Sequence, residues 1–305
     1  MMRIQHLLLF AALALCSCRS VDNYRTGTEA LLANDYDAVI RYTTEAINGG
    51  TLLAPVQARA YRNRGDAYVG KEQFQAAIAD YSAALQIEPD ADDTLNRRGI
   101  ALVSVGQYAA AAADFTHAIE ENAGRTDYYV NRAIAYRRLG QYDAAIADDN
   151  RAIRRQSNDI RIYETRAAAY RGKGDYQRAA ADYLTAITLR PEDPSHYLDR
   201  CSALVLAGLP QVAVNDCNSA LSLQPTNATA FDWRGMALYK LGQFELAIRD
   251  YNLALMFNPQ LASSLYVRGL AKARMGDPAG ANADMQAALM IDSGVAQGLQ
   301  SLGVN

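Results

Sequence analysis

Seven arginines recur at intervals of 34 residues, and an aspartate follows each of them after 16 residues. Guanidinium and carboxylate groups form bidentate ion pairs, whereas a row of unpaired arginines would bind anions. Because each Arg has its own Asp, the sequence favours partly buried structural ion pairs over an anion-binding stripe. The pairs are Arg64 and Asp80, Arg98 and Asp114, Arg132 and Asp148, Arg166 and Asp182, Arg200 and Asp216, Arg234 and Asp250, and Arg268 and Asp284.

The same period organises the residues around these pairs. Residues 58–295 divide without a gap into seven repeats of 34, in which the Arg holds place 7 and the Asp place 23. Alanine fills places 10, 20 and 27 in all seven repeats, and place 8 is always small. Glycine interrupts six repeats in the middle and proline ends four of them, which predicts two helices joined by a short turn. Neither helix can bury its apolar face alone, so neighbouring repeats must stack.

The pairing of each Asp follows from the geometry of such a helix pair. Residues whose places sum to about 30 to 32 lie at equal height in two antiparallel helices, so places 7 and 23 face each other. The Arg of the next repeat lies at a similar height, and spacing alone does not exclude it. A degenerate first repeat in the segment 18–57 has Thr26 and Tyr42 in these columns and loses both partners together. This favours ion pairs within repeats.

Cys201 and Cys217 occupy places 8 and 24 of one repeat, where other repeats combine a small residue with an aromatic one. The two columns change together and their places sum to 32, which predicts a disulfide in an exported protein. Two buried, reduced thiols are the alternative.

Other classes of function find little support. The net charge is −3 without a basic segment, which argues against nucleic acid as a partner. The sequence has no phosphate-binding loop and no zinc-protease motif, and His117 and His196 have no nucleophile or second ligand pair beside them. We therefore expect no catalytic site, no cofactor and no metal.

The 34-residue helix-turn-helix unit, with its small residue at place 8 and Ala at places 20 and 27, resembles the tetratricopeptide repeat family. This resemblance implies an all-α α-solenoid, a right-handed superhelix of antiparallel helix pairs. The family repeat ordinarily has Leu at place 7, so the arginines are a departure. Residues 296–305 begin a further repeat and stop, which predicts a C-terminal cap.

The N-terminus predicts export. An apolar run from Leu7 to Leu15 has the length of a signal-peptide core and is too short to cross a bilayer. The following Leu15-Cys16-Ser17-Cys18 resembles a bacterial lipobox. This makes residues 1–17 the signal peptide and Cys18 a lipidated N-terminus, with Arg19 favouring the periplasmic side of the outer membrane. Cleavage of an ordinary secretory signal near Ser17 or Ser20 is the alternative.

Family resemblance also implies a protein-binding surface on the concave side, formed by places 2, 5, 9, 12 and 13 of each first helix. The resulting hypothesis is a non-enzymatic scaffold or adaptor of the bacterial cell envelope that binds protein or peptide partners and touches the membrane only through its lipid. A regulator of a cell-wall enzyme, or a pilot protein for secretion or pilus assembly, is the alternative. Candidate peptide-binding residues are Arg62, Arg137, Arg138, Arg171, Tyr239 and Tyr266.

Overall fold

The computed structural model describes residues 18–155, 158–301 and 303, and all regular secondary structure within them is α-helical. Seventeen helices lie in this described part and alternate as first and second members of antiparallel pairs. The first helices are α1 (18–32), α3 (Ala54–Gly70), α5 (Asp92–Ser104), α7 (Thr126–Arg138), α9 (Ile160–Gly172), α11 (Pro194–Leu206), α13 (Ala228–Lys240), α15 (Ala262–Arg274) and α17 (Val295–Ser301). The second helices are α2 (Tyr36–Asn48), α4 (Phe74–Ile87), α6 (Tyr108–Glu121), α8 (Tyr142–Arg154), α10 (Tyr176–Leu189), α12 (Pro210–Leu223), α14 (Phe244–Phe257) and α16 (Pro278–Ile291).

These helices form two compact units, one that extends to residue 157 and one that begins at residue 158. In each unit a first helix packs against its own second helix and against the second helix of the preceding pair. Successive first helices also contact one another, as α5 contacts α7 in the first unit and α11 contacts α13 in the second. One side of each unit is therefore built from first helices, and we call the residues at places 2, 5, 9, 12 and 13 of these helices the wall of that unit.

A residue in the left-handed conformation ends the first helix of most pairs. Gly106, at place 15, has a φ of 77°, and the amide of the next residue, Gln107, donates to the carbonyl of Leu102 at 2.9 Å. Glycine adopts this conformation without the clash of a Cβ atom. Glu72 holds the same place with a φ of 58°, although its side chain disfavours it. The prediction that mid-repeat glycines stop the first helices is confirmed.

Small residues let the paired helices approach closely. The alanines at places 10, 20 and 27 of the seven repeats are all at most 3% exposed. At place 8, Gly99 faces the ring of Phe115 so closely that a Cβ atom on it would lie 2.5 Å from that ring. Close contact between backbone and aromatic rings fixes the spacing of the helices, so the side chains carried on them have defined positions.

Candidate functional site

The arginine and aspartate columns form within-repeat ion pairs. In six repeats Arg Nε donates to Asp Oδ2 and Nη2 donates to Oδ1, at distances of 2.5 to 2.8 Å. Arg132 and Asp148 are the most buried pair, with side chains 10% and 2% exposed. The hydrogen bond to Asp80 raises the pKa of Arg64 further above its ordinary value. The prediction of pairing within repeats is confirmed.

A second connection of these arginines was not predicted. In five of these repeats the Nη1 atom of the arginine, which the Asp does not use, donates to a polar side chain at place 25 of the preceding pair, as Arg98 does to Ser82 at 3.1 Å and Arg132 to Thr116 at 3.0 Å. Arg64 reaches Thr44, Arg234 reaches Asn218 and Arg268 reaches Asn252 in the same way. Each of these guanidinium groups therefore links two successive helix pairs.

The ion pair between Arg and Asp is weaker in the repeat that contains Cys201 and Cys217. Arg200 Nε lies 3.3 Å from Asp216 Oδ2, and that buried oxygen has no hydrogen-bond partner in the described part of the chain. Burial raises the pKa of Asp216 despite the charge of Arg200. Place 25 of the preceding repeat is Leu184, which offers no acceptor. The hydrogen bond to place 25 that links neighbouring helix pairs elsewhere therefore cannot form here.

The predicted disulfide joins Cys201 and Cys217, whose Cα atoms lie 5.5 Å apart. Both residues are fully buried between α11 and α12. Each follows directly after a member of the weakened ion pair, Arg200 or Asp216. A covalent link therefore holds together the two helices whose ionic contact is the poorest.

The wall of the first unit carries charges that are already neutralised. Arg97 donates to Asp66 and to Asp93, both at 2.8 Å, and Tyr81 donates its hydroxyl proton to Asp66 at 2.7 Å. Arg62 lies 3.9 Å from Asp93. These mutual contacts hold the charged side chains in place on the wall without a ligand.

A groove of about 420 Å³ opens beside this charge cluster. Its apolar lining comes from Leu31, Val69 and Ile100, and its polar lining includes Asp66 and Arg97. Ile100 is 42% exposed, so a large apolar side chain faces solvent beside fixed charges. A preformed groove with apolar walls and a few oriented polar groups is typical of a binding site.

On the wall of the second unit the polar residues also form pairs. His196 is buried and lies 2.8 Å from Glu164, while Arg171 donates to Asp199 at 3.3 Å. Asp232 accepts hydrogen bonds from Ser264 and Ser263 of the next first helix, at 2.5 and 3.4 Å. Burial raises the pKa of Asp232 to about 6, although these hydrogen bonds oppose the shift.

The candidate peptide-binding residues differ in accessibility. Arg62, Arg137, Arg171 and Tyr266 are partly exposed and Arg138 is exposed. Tyr239 is only 8% exposed, and its ring centroid lies 5.5 Å from that of Phe244. Assignment of Tyr239 to the exposed wall is therefore wrong, because its ring is used in packing α13 against α14.

Three of the described residues, each of a type that can bind a metal ion, lie close together. Donor atoms of Asp90, His117 and Glu121 lie within 4.8 Å of one another at the end of α6, away from the wall. His117 Nε2 is 3.1 Å from Asp90. Sequence reasoning missed this group because Asp90 lies in the turn between two repeats.

The export signals fall mainly outside the structure. The predicted signal peptide, residues 1–17, lies outside the described residues. Cys18 is the first described residue and is an exposed free cysteine. Within the described chain, every helix is too short or too polar to cross a bilayer.

Comparison with known proteins agrees with this architecture. The TPR repeat model matches residues 65–106 and 235–276, and the tetratricopeptide repeat model matches residues 96–160 and 165–228. No curated protein matches the sequence.

Several solved structures are similar in fold. A tetratricopeptide repeat protein from Parabacteroides merdae is 16% identical, covers 89% of this chain and 99% of its own, and has a TM-score of 0.61. The C-terminal part of a TPR repeat-containing protein from Cytophaga hutchinsonii is 18% identical over 75% of this chain and 94% of its own, with a TM-score of 0.61. YrrB, described as a TPR protein with an unusual peptide-binding site, is 22% identical over 63% of this chain and 100% of its own, with a TM-score of 0.51. Repeated helix pairs, the matching family models and these shared folds together show that the chain belongs to the tetratricopeptide repeat family.

Proposed function

We propose that this protein is a non-enzymatic adaptor of the bacterial cell envelope that binds extended segments of partner proteins on the walls of its two units. Proteins built from this repeat are generally non-catalytic scaffolds that bind protein or peptide partners. The groove beside Asp66 and Arg97 carries the proposal, because it combines exposed apolar surface with charges that are fixed before a ligand arrives. Preorganisation of this kind reduces the entropy lost on binding.

An extended peptide is the ligand that fits this groove best. Apolar side chains of the peptide would contact Val69 and Ile100, and its backbone amides would face the carboxylates of the wall. The description of YrrB as a TPR protein with a peptide-binding site supports a peptide ligand for this fold.

Placement in the envelope rests on two further features. The lipobox-like segment ends at Cys18, which is exposed and therefore accessible to lipidation. The buried disulfide between Cys201 and Cys217 suits an oxidising compartment. We infer that the chain is exported, anchored through a lipid on Cys18 and held on the periplasmic side of the outer membrane. Mass spectrometry of the mature N-terminus tests the anchor, and an unmodified N-terminus at another residue would refute it.

The binding function is tested by affinity capture with wall variants. Ile100→Glu places a charge in the groove and should abolish capture of partners that the wild type retains. Val212→Glu is the matched control, because Val212 is also 42% exposed but lies on the second helix α12. Equal loss of the same partners in both variants would show that the wall has no special role.

A further inference from the structure

Asp232 differs from the other acidic residues of the walls. Five acids hold wall places, and four have a basic partner within 2.8 Å: Asp66 and Asp93 with Arg97, Asp127 with Arg125, and Glu164 with His196. Asp232 has only the hydroxyls of Ser263 and Ser264 as partners in the described chain. Asp232 is only partly exposed, and a carboxylate with limited access to water is costly to leave without a cation.

The electrostatic influence of Asp232 reaches a buried hydroxyl that lacks a hydrogen-bond partner. The hydroxyl of Tyr251 on α14 is fully buried and has no hydrogen-bond partner in the described chain. In the first unit the equivalent Tyr81 donates to Asp66 at place 9, but place 9 is Met236 in this repeat. Burial, together with the negative charge of Asp232, raises the pKa of Tyr251. The contact between a tyrosine hydroxyl and a wall carboxylate that Tyr81 and Asp66 form in the first unit therefore has no counterpart in this repeat.

Besides the two serines, the neighbouring first helices carry apolar residues at the place that Asp232 holds. Leu198 on α11 and Tyr266 on α15 hold the same place 5 as Asp232 on α13, and both are partly exposed. An aliphatic stem that ends in a cation matches such a surface, because the stem packs on the leucine and the aromatic ring while the cation approaches the carboxylate.

We propose that Asp232 anchors a lysine or arginine side chain of a peptide bound on the wall of the second unit. This inference rests on the proposed peptide-binding function and adds the charge of the residue that is recognised. The cation would supply the partner that Asp232 lacks, and Leu198 and Tyr266 would contact its stem.

Selection from a peptide pool tests this inference on the full-length protein. The probe is a pool of randomised twelve-residue peptides blocked at both ends, so that no terminal charge contributes. We expect the wild type to enrich Lys and Arg about tenfold over Gln, and Asp232→Asn to remove this preference. Glu164→Gln is the control, because it removes a carboxylate of the same wall whose partner is already His196. Asp232→Lys should shift the preference towards Asp and Glu.

The possible results separate this inference from the proposed function. Peptides that bind without a preference for Lys or Arg, or with the same preference after Asp232→Asn, would refute the role of Asp232 and leave peptide binding intact. A pool from which neither wild type nor variants retain any peptide would refute both. Circular dichroism checks that each variant is folded.

Discussion

Arg132 and Asp148 should be strongly coupled in their effects on the stability of the first unit. Two hydrogen bonds of 2.7 and 2.8 Å join the side chains, and Arg132 also donates to Thr116 at 3.0 Å. Because both side chains are at most 10% exposed, removal of one partner leaves a charge with little access to water. Either Arg132→Met or Asp148→Leu should therefore lower the free energy of unfolding by about 3 to 5 kcal/mol.

The double variant distinguishes a buried pair from two independent side chains. Arg132→Met with Asp148→Leu leaves no unmatched charge, so it should cost only about 1 to 2 kcal/mol, which corresponds to a coupling energy of at least about 4 kcal/mol. Urea unfolding followed by circular dichroism measures all four proteins of the cycle.

Arg200 and Asp216 provide an internal comparison. Their atoms are 3.3 Å apart and Asp216 Oδ2 lacks a hydrogen bond, so the same cycle should give a coupling energy clearly below that of Arg132 and Asp148. If Arg132 and Asp148 couple by less than about 0.5 kcal/mol, the pair is solvated and the arginine row would have to be considered again as an anion-binding surface.

Three further predictions concern single features of the fold. The disulfide between Cys201 and Cys217 closes a loop of 16 residues. Dithiothreitol should therefore lower the free energy of unfolding of the wild type by about 3 kcal/mol while leaving a double Cys→Ala variant unaffected, and equal sensitivity of both would contradict this. Glu72→Gly should stabilise the chain by about 1 kcal/mol in urea titrations, because Glu72 has a φ of 58° that glycine adopts more easily. Gly106→Ala should destabilise the chain for the same reason. Opposite signs would show that the turn does not favour glycine. Since the folded-state pKa of Asp232 is raised to about 6 from 3.8, its ionisation weakens the fold as pH rises through this interval. Asp232→Asn should therefore stabilise the protein by about 1 to 3 kcal/mol at pH 7.5 and by much less at pH 4, and an equal effect at both pH values would exclude the titration of Asp232.

Much of the fold could be predicted because the same sequence pattern occurs in each of the seven repeats. Arg at place 7 and Asp at place 23 lie at equal height in any antiparallel helix pair of this length, and the joint loss of both in the first repeat identified the partner. The cysteines were predictable for the same reason, since two facing columns changed together.

Side chains that act between repeats were harder to predict. The Nη1 atom of the arginines donates to side chains such as Ser82 and Thr116. These acceptors at place 25 differ in residue type and have only their polarity in common, and one repeat has Leu184 at this place. Tyr239 holds a wall place but turns towards Phe244, because its long side chain gains more from packing than from exposure. The isolation of Asp232 depends on which neighbours lack a basic group, which a single repeat does not reveal.

Site-specific photo-cross-linking tests the central claim, that partners bind on the walls. A benzophenone amino acid placed at Ile100, on the wall of the first unit, should form adducts with partner proteins in living cells, and the same group at the equally exposed Val212 on α12 should not. The partners that form adducts at Ile100 should be the proteins that Ile100→Glu loses in affinity capture. Adducts formed only from Val212, or equally from both positions, would contradict the account.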